Sequence, residues 1–88
     1  MKLQLPYSIK CESGNMSFSD GHRWDSSIDS EWSDIEIIRY LILLFNKQGD
    51  KATDMRVIRD ENNNISIEWI MNYGRLSPRK CFITLEQK

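Results

Sequence analysis

The spacing of apolar residues along this chain switches between two and about three and a half, and the switches mark its elements. Residues 3–11, LQLPYSIKC, place Leu3, Leu5, Tyr7, Ile9 and Cys11 on one face and Gln4, Pro6, Ser8 and Lys10 on the other. That alternation is the period of a half-buried strand. Pro6 cannot donate a ladder hydrogen bond, so the strand is expected at an edge or with that position toward solvent. ESGN offers a tight turn in which Gly14 and Asn15 can take positive φ, and MSFS pairs back through Met16 and Phe18 as a second short strand.

The period then lengthens. Ser33-Asp34-Ile35-Glu36 matches a capping box, with a serine cap and a glutamate three residues on that can reach back to the cap amide. Asp34 and Glu36 also place negative charge in the first turn, where the helix dipole favours it. Ile35, Ile38, Leu41, Ile42 and Phe45 follow at helical spacing, and Lys47 and Gly49 supply a terminal cation and a C-cap. The pattern predicts one helix of about four turns. Trp32, just before the cap, is expected to staple onto Ile37.

Alternation returns in the last third. DMRVIRDE is weakly strand-like, and ISIEWIMN puts Ile65, Ile67, Trp69 and Met71 on one face. ENNN between them predicts a hairpin turn. YGRLSPRK reads as a loop and CFITLEQK as a final strand with Cys81, Ile83 and Leu85 facing one way. The predicted order is ββαβββ, an α+β domain over residues 1–88 in which a single helix packs on an antiparallel sheet of four to five strands. One sheet face is left partly uncovered and becomes a candidate contact surface.

Composition narrows what such a domain can do. Eighty-eight residues, 40% hydrophobic and 28% charged, suit one globular domain with one core. The net charge of −1 gives no global pull toward nucleic acid or membrane. No apolar run approaches the roughly 20 residues needed to span a bilayer, and the N-terminus lacks a signal-peptide core. A cytoplasmic protein is the expectation. Cys11 and Cys81 have neither the number nor the spacing of a disulfide framework, and two buried reduced thiols are favoured over one bridge between terminal strands.

The informative segment is DGHRWDSSIDSEWSD, residues 20–34. From Asp20 to Glu36 six carboxylates stand against one cation, Arg23, in 17 residues. Counted from Asp25, the oxygens of Ser27, Asp29, Ser33 and Glu36 fall at EF-hand positions, but Ser30 replaces the glycine of the sharp turn and Trp32 the small branched residue. No calcium site is expected. His22 and the two cysteines fall short of a zinc set, and no nucleophile motif surrounds them. The expectation is a protein that is not an enzyme and holds no metal or cofactor.

What remains is recognition. Asp20, Asp25, Asp29, Glu31 and Asp34 would supply a negative field, and Trp24 with His22 would enter a partner's pocket; tryptophan is over-represented at hot spots, and dense carboxylates speed encounter with a basic surface. Trp24 serves equally well as a core plug. The character of the chain is similar to bacteriocin immunity proteins, antitoxins and small phage-encoded inhibitors, a resemblance of type that carries no shared motif. It implies a protein partner with a basic surface, such as a nuclease. The alternative is nucleic-acid binding through the loop 73–80, with Tyr73, Arg75, Arg79 and Lys80 joined by Arg56 and Arg59. Against it, residues 49–88 hold seven basic and six acidic side chains, and the arginines can pair with Asp54, Asp60, Glu61 and Glu68.

Overall fold

The computed structural model describes residues 1–11, 14–17, 27–47, 49, 51–72 and 78–88, residues 14–17 by their backbone. The described elements are β1 (Lys2–Gln4), β2 (Ser8–Cys11), β3 (Gly14–Ser17), β4 (Ile28–Asp29), α1 (Asp34–Lys47), β5 (Lys51–Arg59), β6 (Ile65–Asn72), β7 (Arg79–Thr84) and β8 (Glu86–Gln87). They form an α+β fold with one helix and two antiparallel sheets, ordered β3-β2-β7-β6-β5 and β4-β1-β8. The class and the helix-on-sheet arrangement are those expected. The strand order ββαβββ is not, because both terminal segments are shared between two sheets.

The cause lies at Pro6. Leu3 and Gln4 pair with Gln87 and Glu86 in the small sheet, whereas Lys10 and Cys11 pair with Phe82 and Cys81 in the large one. Six residue steps separate Gln4 from Lys10 and only four separate their partners Glu86 and Phe82, so two residues are extra at the bend. Proline, lacking an N–H, suits such an interruption. An insertion of two preserves the side-chain alternation, which is why Leu3, Leu5 and Ile9 are all buried. Tyr7, expected on the same face, sits at the bend and is 57% exposed. Leu85 marks the matching break in the partner segment, its amide donating to the Ile65 carbonyl at 2.9 Å. The turn of the first hairpin also moves: Gly14 and Asn15 lie within β3, opposite Cys11 and Lys10.

The helix follows its sequence signals closely. The Glu36 amide donates to Ser33 Oγ at 3.3 Å, and the Ser33 hydroxyl donates to Glu36 Oε1 at 3.2 Å, so the glutamate closes the box on the serine hydroxyl. Gly49 ends the helix with φ +84°, its N–H donating to the Asn46 carbonyl at 3.0 Å. Ile37, Leu41 and Phe45 form its buried stripe, each worth about 1.5–3 kcal/mol of burial. Phe45 stacks on Trp69 with ring centres 5.1 Å apart, which fixes the covered sheet face as that of Ile65, Ile67, Trp69 and Met71. Ser66, Glu68, Ile70 and Asn72 alternate onto the opposite face and are only half-buried. In the ENNN turn, Asn63 has φ +62°, and Asp60 accepts the amides of Asn62 and Asn64 at 2.8 and 2.9 Å.

Candidate functional site

The described end of the acidic segment is built into the fold. Asp29, in β4, accepts the Glu31 amide at 2.9 Å and lies 3.6 Å from both the terminal ammonium and Lys2 Nζ. The Glu31 amide, followed by these two cations, holds its carboxyl below the ordinary aspartate range. Asp34, at the first turn of α1, receives Arg59 Nε at 3.0 Å. Arg59 also donates through Nη2 to the Trp32 carbonyl at 2.9 Å and through Nη1 to the Ser30 carbonyl at 3.5 Å. One guanidinium from the end of β5 therefore clamps the chain leading into the helix. Trp32 is half-buried and meets Tyr40 edge-on, ring centres 5.5 Å apart, so its ring contact is one helical turn beyond the Ile37 staple position. Tyr40 Oη in turn accepts the Ser27 amide at 3.1 Å.

These contacts divide the expected carboxylates. Asp29 and Asp34 are internally paired, whereas the Glu31 side chain is exposed beside them. Asp20, His22, Trp24 and Asp25 lie outside the described residues. α1 turns two large aliphatic side chains outward, Ile35 in its acidic first turn at 62% and Leu43 about two turns further on at 64% exposure, with Arg39 between them on the same face. Sequence periodicity placed Ile35 in the apolar stripe; the stripe that is actually buried begins two residues later, at Ile37.

The basic set is likewise split. Arg59 is the clamp just described, and Arg56 Nε donates to Glu68 Oε2 at 2.7 Å across the hairpin. Tyr73 and Arg75 lie outside the described residues, and Arg79 and Lys80 open β7. The open sheet face carries a row running Lys10, Phe82, Glu68 and Arg56 across four strands, each directly opposite the next. Lys80 lies opposite Ile70 in the following open-face row. A depression of about 620 Å³ over this region is lined by Lys10, Arg56, Glu68, Lys80 and Phe82 among others, and Cys11 and Cys81 also reach its wall. Strand alternation puts Lys10 on a polar face, and the register aligns it with Phe82, Glu68 and Arg56.

Of the calcium-spaced oxygens, Asp29, Ser33 and Glu36 are engaged in the contacts above, and among the described residues no three His, Cys, Asp or Glu side chains converge as a metal set. No described helix is long and apolar enough to cross a membrane. Comparisons with protein-family models, with curated proteins and with solved structures give no match. What the fold and the described surfaces define is a small α+β domain with a braced acidic segment.

Proposed function

We propose that this protein is a non-enzymatic protein-binding module of the inhibitor type, comparable in kind to immunity proteins, antitoxins and phage-encoded inhibitors. It acts in the cytoplasm and meets a partner with a basic surface, a nuclease being one such partner, through residues 20–36. The observation that carries this reading is the exposed Ile35 in the acidic first turn of α1, with the exposed Leu43 about two turns further along the same face. Exposed apolar side chains rimmed by charge are the composition of an interface core and its rim. Glu31, with Asp20 and Asp25, supplies the charge, Trp24 and His22 the anchor, and the Arg59 clamp on Asp34 the rigidity. The test is capture of the partner on immobilised wild-type protein beside a variant carrying Asp20→Asn, Asp25→Asn and Glu31→Gln. The expected result is a retained basic protein, eluted by salt and lost with the variant. Equal retention by the variant would remove the segment from the mechanism.

The second reading, nucleic-acid binding through the loop 73–80, is favoured by one feature, the placement of Phe82 opposite Lys10 with Lys80 in the adjacent row. An aromatic beside a cation on an open sheet face is suited to stacking a base, although Glu68 lies opposite Phe82 on its other side. Arg56 and Arg59 contribute less than their charge suggests, since each is paired with a carboxylate. This reading requires a gel shift with single-stranded RNA or DNA that Lys10→Glu, Lys80→Glu abolishes.

A further inference from the structure

Cys11 and Cys81 are 70 residues apart in sequence and directly opposite one another in the β2–β7 pairing, with their sulfurs 3.4 Å apart. Directly opposite residues of an antiparallel pair have Cα atoms about 4.5–5.5 Å apart, inside the range of about 4.4–6.8 Å that disulfides occupy. Bond formation thus asks the sulfurs to approach by little more than about 1 Å, a side-chain rotation with no strand rearrangement. The two thiols differ in access. Cys81 is 3% exposed, with its sulfur between the Cys11 sulfur and, at 3.6 Å, the Arg79 carbonyl oxygen. Cys11 is half-buried and reaches the wall of the depression described above.

We propose that Cys11 and Cys81 form a reversible dithiol–disulfide site, oxidised by small disulfides with Cys11 as the attacking thiol and Cys81 as the resolving thiol. The Cys11 thiolate attacks one sulfur of the small disulfide, forming a mixed disulfide and releasing one thiolate, which takes up a proton. Cys81, deprotonated in its turn, attacks the Cys11 sulfur and expels the second small thiol. Two S–H bonds are replaced by one S–S bond, and the two electrons and two protons leave on the two small thiols, so the exchange balances with no other oxidant. β2 and β7 pair through Lys10–Phe82 and Cys11–Cys81, so the bridge would fasten the first hairpin to the sheet at this narrow seam. Closing a loop of this length is expected to raise the melting temperature by about 10 °C or more. The site stands independently of the partner reading.

The test exposes the reduced native protein to oxidised glutathione without denaturant, quenches with an alkylating agent and maps the peptides by mass spectrometry. The expected product is a monomer lighter by two hydrogens, with Cys11 linked to Cys81, reversed by dithiothreitol and melting about 10 °C or more higher. Cys81→Ser should stop at one glutathione on Cys11, and Cys11→Ser should react about tenfold more slowly or less, following the burial of Cys81. The wild-type map decides the matter even if a variant fails to fold. Two alkylated cysteines, glutathione on both, linked dimers, or a bridge that needs denaturant would each overturn the proposal and leave the pair as core packing.

Discussion

The acidic segment and the basic hairpin look like rival surfaces in sequence, yet in the fold they neutralise one another at a shared point. Arg59 brings the end of β5 to Asp34 and to the carbonyls before the helix, so one charge from each region is spent on joining them. Asp29 is taken up by Lys2 and the terminal ammonium, and Arg56 by Glu68. A run of like charge is therefore not a surface until the fold has claimed its share. What is exposed differs in kind: Glu31 and Ile35 on one side, and Lys10 opposite Phe82 on the other.

Breaking that division in order of effect begins with Trp24. On the proposed reading, Trp24→Ala weakens partner binding by about 2 kcal/mol or more, roughly 30-fold, while the melting temperature stays within about 2 °C. A parallel loss of melting temperature would mark it as a core plug instead. Arg59→Ala is expected to cost about 1 kcal/mol of stability, its charged hydrogen bonds discounted for their half-exposed setting. Denaturant midpoints of Arg59→Ala, Asp34→Asn and the double variant would measure the coupling; strict additivity would deny the clamp.

Acid titration reads the aspartates directly. The carboxyls of Asp29 and Asp60 are held low, Asp29 first by the Glu31 amide and Asp60 first by the Asn64 amide. A carboxylate whose folded pKa is depressed contributes stability that is present above its unfolded value and lost as pH falls through the folded one. Stability should thus fall below about pH 4, and the fall should shrink in Asp29→Asn and Asp60→Asn. A slope unchanged by both would contradict these contacts. The smallest effect belongs to Arg56 and Glu68, whose exposed pair should contribute less than about 0.5 kcal/mol in a double-mutant cycle despite its 2.7 Å distance.

How much was legible followed the range of the interaction. The Ser33–Glu36 box, the Gly49 cap and the alternation of Ile65 to Met71 depend on neighbours within a turn or a pleat, and the pattern shows them. The bend at Pro6 was half visible: proline signalled an interruption, but the transfer of the chain to a second sheet depends on Glu86 and Gln87, some 80 residues away. β4 and β8, two residues each, are too short to display a period. Arg59 was read as a candidate for nucleic acid or for hairpin pairing because its partner, Asp34, is 25 residues distant and set by tertiary position. Of the candidate partner-binding residues, the fold assigns Asp29 and Asp34 structural work. The exposure of Ile35 and Leu43 is not legible in the sequence, because helical periodicity does not say how much of an apolar face its sheet will cover.

The central claim is that residues 20–36 meet a basic partner through charge, and the salt dependence of that complex tests it most directly. Affinity of the captured partner, measured by calorimetry from about 50 mM to about 500 mM salt, is expected to fall at least about tenfold for the wild type and far less for the Asp20→Asn, Asp25→Asn, Glu31→Gln variant. An affinity indifferent to salt, or equal salt slopes for the two proteins, would contradict the account.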